Sequence, residues 1–248
     1  MAARRRPATG PRITLARALS KLGLLSRTQA RAAIVAGRVR VDGREERDPD
    51  RWIDPERGRI ELDGRRAMRQ KVVWFALHKP TGVITTRSDE RGRKTVYELL
   101  PAEMPWVFPV GRLDLESSGL LLITNDTRLA DAAIRPDSGL AKLYDVSLDA
   151  PLPDHDLRRF RAGSALADGT ALRPVGIEFL DPERTRLRIT LHEGKNRQIR
   201  RMVADCGCEV LRLHRLAIGP IELGDLPEGR IRPLTAAERA ALSALRQR

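Results

Sequence analysis

Residues 110–126 read VGRLDLESSGLLLITND, a charged Arg-Leu-Asp step that leads into an aliphatic run at 119–123. In extended chain, residues two apart project to the same side. Arg112 and Asp114 then share a face while Leu113 points the other way. The run itself is strand-sized and bounded by polar residues, which predicts a buried strand. A charged pair at the lip of such a strand is either a surface ion pair or a working site. The rest of the chain bears on which.

The chain has 248 residues, enough for one large domain or two ordinary ones. Its apolar fraction of 41% supports a packed core, and with only 4% aromatic residues that core must be largely aliphatic. No apolar run approaches the roughly 20 residues of a membrane span, so no membrane partner is expected. The start, MAARRRPATGPR, has the charge of a signal peptide but no apolar segment after it. Residues 1–11 read as a basic disordered tail of a cytoplasmic protein. Cys206 and Cys208 form a C-x-C that lacks the four ligands of a structural zinc site. The four histidines, 78, 155, 192 and 214, have no metal-like spacing either, so no metal is expected. The cysteines read as inert, partly buried thiols. Net charge is +13, with a pI near 10.9. Arginine greatly outnumbers lysine, but exchanging one for the other creates no net charge. The excess therefore points to a polyanionic partner, nucleic acid above all.

A small basic unit comes first. Leu15, Ala18, Leu19 and Leu22 follow helical spacing, and Gly23 ends that turn. Ser26 with Gln29 makes a capping box for a second helix running to about Ala36. Val39 and Val41 alternate as a strand, and Asp42-Gly43 is a strong hairpin signal. Arg27 and Arg31 occupy polar positions of the helix, with Arg38 and Arg40 following on the strand. Such a row of guanidinium groups suits phosphate contacts. Residues 63–71, DGRRAMRQK, read as a short polar linker.

From Val72 the composition changes. VVWFALHKPTGVITT predicts a strand, a Lys-Pro-x-Gly turn and a second strand. TRLADAAIRP reads as a helix stopped by Pro136, and AKLYDVSL alternates as a strand. Further strands follow in LRPVGIEFL, TRLRITLH and CEVLRLHRLAIGPIEL. EGKNRQIRRMVADCG reads as a basic loop entering a helix that ends at Gly207, and Thr235 with Glu238 caps a last helix. Mixed strands with scattered helices, and no regular strand–helix alternation, predict an α+β domain.

Two resemblances carry these readings further. LGLLSRTQARAAIVAGRVRVDGR resembles the S-four RNA-binding domain, covering residues 12–70. The motifs HKPTG, GRLDLESSGLLLITND, KLYDV and EGKNRQIRRM, in that order, resemble the RNA pseudouridine synthases of the ribosomal RsuA/RluB-type branch. One departure is Ser117, where that family usually has threonine. The resemblance implies a mainly antiparallel mixed sheet over residues 71–248. It implies an isomerase that breaks a uridine's N-glycosidic bond, turns the base and rejoins it through carbon 5, with no cofactor. It also implies a monomer acting on ribosomal RNA, free or in a pre-ribosomal particle. The branch serves both subunits, and the wording lies nearer its large-subunit members.

By resemblance, Asp114 is the nucleophile, Arg200 the arginine that pairs with it, and Tyr144 the residue beside the flipped base. A carboxylate held out of bulk water is neutralised unless a guanidinium stands beside it, which gives such a pair its physical sense. Tyr144 can stack on uracil and help move the carbon-5 proton. Arg112 matches the residue thought to fill the gap left by the extruded uridine. Lys195, Arg197 and Arg201 are expected to track phosphates, the other reading being a solvated charge run, and Lys79 either to line the cleft as a substrate-binding residue or to be structural. Two other readings stay open here. One is a non-catalytic RNA-binding or ribosome-assembly protein, which has no need of the Asp114, Tyr144 and Arg200 trio. The other is a metal-dependent nuclease, for which Asp114, Glu116 and Asp126 offer no evident shared ligand face.

Overall fold

The computed structural model describes residues 12–55, 58–135 and 138–244. The expected basic tail and Pro136 lie outside the described residues. The chain divides into two compact units: residues up to 72 with 103–107, and residues 73–102 with 108 onward. No helix among the described residues is long and apolar enough to cross a membrane.

In the first unit the capping signals act where the sequence puts them. Helices span Leu15–Lys21 and Arg27–Val35. Ser26 Oγ accepts from the Gln29 amide at 3.1 Å while Gln29 Oε1 accepts from the Ser26 amide at 3.0 Å. Two donors without intrahelical partners are met at once. Asp42 and Gly43 both take positive φ, 53° and 80°, as the tight turn between Val39–Val41 and Arg44–Glu46 requires. The sheet continues through Ile60–Leu62 to Arg65–Arg66. Part of the expected 63–71 linker is therefore an edge strand, because Asp63-Gly64 forms a second tight turn that folds it back on Ile60–Leu62. Leu15, Leu19, Ala30, Ile34, Val39 and Ile60 pack together as this unit's core.

The second unit is built on a sheet of nine strands among the described residues. Seven lie in the order Gly176–Phe179, Arg186–Leu191, Lys142–Leu148, Val210–Ile218, Ser117–Thr124, Trp74–Lys79, Ile231–Pro233. Phe108–Val110 pairs beside Ser117–Thr124, and Ile221–Glu222 folds back on Val210–Ile218. Every pairing is antiparallel except Val210–Ile218 with Ser117–Thr124, which is parallel. The mixed, mainly antiparallel α+β architecture expected from the sequence is the one observed. The strand expected after the Lys-Pro-x-Gly turn does not form. Ile84 makes only a single bridge to Thr95, its amide and carbonyl going to Lys94 and Val96.

All eight residues of Ser117–Thr124 are buried. Leu120 and Leu122 lie in one cluster with Trp74, Ala76 and Val110, joined by Leu129, Ala130 and Ala133 of helix Thr127–Ile134 and Leu242 of helix Ala236–Ser243. Full burial of each such leucine contributes about 1.5–3 kcal/mol, enough to fix the strand rigidly. The thiols of Cys206 and Cys208 are free and partly buried, and burial pushes Cys206 up to about 12, so it stays protonated and inert.

Gly119 makes the parallel pairing possible. Its φ is +106°, and a Cβ there would stand 2.3 Å from the Arg215 carbonyl oxygen and 2.5 Å from its nitrogen. Neither backbone can yield without breaking the ladder. Gly119→Ala is expected to cost about 3–5 kcal/mol, read as a fall in denaturation midpoint, and an unchanged midpoint would show that the strands are not pressed together there.

Candidate active site

The Arg-Leu-Asp step does not form part of a strand. It lies in a loop, residues 111–116, between Phe108–Val110 and Ser117–Thr124. Leu113 is buried on one side and Arg112 is exposed on the other, as the alternation predicts. The loop is held from beneath by residues 79–85, the HKPTG turn and the stretch after it. Thr85 Oγ1 donates to the Leu113 carbonyl at 2.8 Å and accepts from the Leu113 amide at 3.2 Å. The Gly82 amide donates to the Leu115 carbonyl at 2.9 Å. Lys79 Nζ donates to the carbonyls of Ser117 and Pro80 at 2.7 and 2.9 Å.

Lys79 is 0% exposed and is not among the cavity-lining residues, which corrects its substrate-binding reading and leaves the structural one: its ammonium is sealed inside the turn as a scaffold. Burial pushes it down to about 8, against the opposing pull of Asp114, with Arg215 adding to the fall. A buried cation satisfied by carbonyl oxygens stiffens the segment that carries Asp114.

The Asp114 side chain is 26% exposed. Its ion partner is Arg197, whose Nη1 lies 3.7 Å from Asp114 Oδ2 and 2.9 Å from Glu116 Oε2. This corrects the expected pairing with Arg200. Arg200 donates instead to the carbonyls of Glu116 at 3.1 Å and Val210 at 3.0 Å, tying the end of the loop to the neighbouring strand. The difference arises from the backbone. Arg197 takes a left-handed conformation, φ 46° and ψ 34°, at the start of helix Gln198–Ala204, a strained state for a non-glycine residue. The loop before it is fastened by buried Glu193, which accepts from the Arg173 amide and from Gln198 Nε2. The Arg197–Glu116 bond holds the Glu116 carboxyl below, and the Arg197 guanidinium above, their usual ranges.

A cavity of about 370 Å³ opens beside Asp114, within the size range of small-molecule sites. Among its lining residues Asp114 is the one carboxylate, facing Arg112, Lys142, Lys195, Arg197 and Arg215. Tyr144 forms part of the wall and is buried; its hydroxyl oxygen lies 3.5 Å from Arg215 Nη1. Lys142 is half-buried, which lowers its pKa, and the Arg215 charge adds to that shift. Arg215 and Lys142 were not foreseen. The signals were present: Lys142 sits two residues before Tyr144 on an alternating strand, and Arg215 interrupts an apolar one.

The remaining candidates separate. Lys195 lines the cavity, but its Nζ donates to the Ala171 carbonyl and lies 3.6 Å from Glu193. Arg201 does not line the cavity, and its guanidinium is taken by Asp168 and Thr170. In the first unit Arg31 forms a two-pronged pair with Asp50 and Arg38 with Asp63. Arg27 and Arg40 form no such pair with any described residue and are exposed.

Comparison with known proteins agrees with this geometry. Residues 73–205 match the model of the RNA pseudouridylate synthase family, and residues 14–56 match that of the S4 domain. A protein of Aquifex aeolicus (strain VF5), described as an uncharacterized RNA pseudouridine synthase, is 38% identical over 228 residues, covering 90% of this chain and 91% of its own. The ribosomal large subunit pseudouridine synthase B of Bacillus subtilis (strain 168) is 34% identical over 234 residues, covering 93% and 96%. A solved structure described as a pseudouridylate synthase superposes with a TM-score of 0.68 at 28% identity, over 93% of this chain and 99% of that one. With its S4 domain, its mixed sheet and these matches over most of its length, the chain belongs to the RNA pseudouridine synthase family.

Proposed function

We propose that the enzyme converts a uridine of ribosomal RNA, and of the large-subunit RNA in particular, to pseudouridine, with Asp114 as nucleophile. The observation that carries this reading is the isolation of Asp114 as the one carboxylate among the cavity-lining residues, on a loop braced by Lys79, Thr85 and Gly82. The name of the Bacillus subtilis relative supports the choice of RNA.

On this reading the target uridine leaves the helix and enters the cavity, where its base meets Tyr144. Unstacking costs a few kcal/mol, and exposed Arg112 can offset part of that by filling the vacated slot. Asp114 attacks the uridine, the N-glycosidic bond breaks, the base turns, and carbon 5 rejoins the sugar as the carboxylate departs. Carbon 5 then gives up one proton and nitrogen 1 gains one, so the ring's proton count is unchanged. Tyr144 takes the carbon-5 proton. Arg197 stands opposite Asp114, and Arg200 holds the end of its loop in place. Arg27 and Arg40 contact phosphates directly. Arg31 and Arg38 can exchange their exposed carboxylate partners for phosphate. The enzyme works as a monomer.

Asp114→Asn is expected to bind RNA as the parent does while losing pseudouridine formation by on the order of 10³-fold or more. Turnover retained in that variant would remove Asp114 as nucleophile. Lys79→Met, which takes the buried ammonium from beneath the loop, is expected to lower single-turnover rate by about 10²-fold with little change in RNA affinity. Equal losses in rate and affinity would place Lys79 in RNA binding instead. Replacing Arg27 and Arg40 together by alanine is expected to flatten the log-affinity against log-salt slope by about 2, and an unchanged slope would take the first unit's arginines off the RNA.

A further inference from the structure

Arg215 is the group that the reaction as described leaves without a task. It is 5% exposed, and it forms no ion pair with any described residue. A buried cation with no carboxylate in ion-pair contact is costly to keep. Its Nε donates to the Leu120 carbonyl at 2.7 Å, its Nη1 lies 3.5 Å from the Tyr144 oxygen, and its Nη2 is sealed with no partner among the described residues. A buried unmet donor on a charged group calls for a reason beyond stability.

The setting is specific. Arg215 stands opposite Tyr144 in one ladder and opposite Gly119 in the other, so it joins the strand carrying the tyrosine to the strand that follows the Asp114 loop. The register slips between Leu143 and Tyr144, the kind of irregularity that re-aims a side chain. The guanidinium carbon lies 6.0 Å from the phenol ring centroid, near the ring's hydroxyl end.

We propose that Arg215 is a positioning residue for Tyr144, turning its hydroxyl hydrogen toward the cavity and so toward the flipped uracil. The inference rests on the reading that Tyr144 meets that base. A guanidinium can only donate, so the phenol oxygen faces the cation with its lone pairs and its own O–H dipole turns away. Lys142, on the same wall, is also a donor only when charged. No acceptor among the described residues takes the phenol hydrogen, which leaves a ligand in the cavity to take it. At the tautomerisation the Tyr144 hydroxyl passes its hydrogen through water to nitrogen 1 while its oxygen takes the carbon-5 proton, so the phenol is regenerated and the step balances without a further reactant.

The test is a double-mutant cycle on single-turnover pseudouridine formation, using total RNA from cells that lack the enzyme. Arg215→Met is expected to lower the rate roughly 10- to 100-fold while RNA affinity stays within about twofold. Arg215→Lys, which keeps the charge but loses the Leu120 anchor, is expected to recover part of that loss. In a Tyr144→Phe background, Arg215→Met is expected to add less than about twofold. An equal loss in both backgrounds, a full rate in Tyr144→Phe, or a matching loss of RNA affinity would overturn the proposal. Should Arg215→Met fail to fold, Arg215→Lys in the two backgrounds decides by the same criterion. Total RNA keeps this result separate from the choice of substrate. Pseudouridine mapped outside ribosomal RNA would overturn that choice and leave the cycle intact.

Discussion

Gly119 holds the active-site architecture together by having no side chain. At φ +106° and pressed against the Arg215 backbone, it lets two central strands run parallel in a sheet that is otherwise antiparallel. That contact sets three strands side by side, Lys142–Leu148, Val210–Ile218 and Ser117–Thr124. Tyr144, Arg215 and the loop bearing Asp114 come from these three in turn. Their shared cavity follows from the strand order, because each contributes from the same region of the sheet.

The site's charges fall into two classes by what surrounds them. Lys79 is enclosed by carbonyl oxygens and serves the backbone of the Asp114 loop. Arg112, Lys142, Lys195, Arg197 and Arg215 line the cavity and face one carboxylate. A polyanionic substrate entering such a space meets an attractive field. Not all of those cations are available to a substrate, however. Arg197 is shared between Asp114 and Glu116, and Lys195 is bound to its own loop. Formal charge therefore overstates what reaches RNA, and the first unit shows the same effect in the pairs Arg31–Asp50 and Arg38–Asp63.

Much of the molecule was legible in its sequence wherever the deciding interactions are local. The Ser26–Gln29 and Thr235–Glu238 capping boxes, the Asp42-Gly43 turn and the buried 117–124 strand each depend on residues a few positions apart, and each forms. Leu113 inside and Arg112 outside follow from alternation alone. The strand expected after the Lys-Pro-x-Gly turn was lost to long-range bonding, since Gly82 and Thr85 are committed to the loop some thirty residues on.

What the sequence determined by itself was the set of elements and the motifs that carry the chemistry, because periodicity, caps and turns act within one stretch of chain. The tertiary structure alone decided which charges meet. Arg197 rather than Arg200 faces Asp114, since a strained backbone at the start of a short helix turns it there. Lys79 went inside and Arg215 came beside Tyr144 by strand pairing across 38 and 71 residues of chain. Such distances are set by the packing of the whole sheet, and no local pattern encodes them.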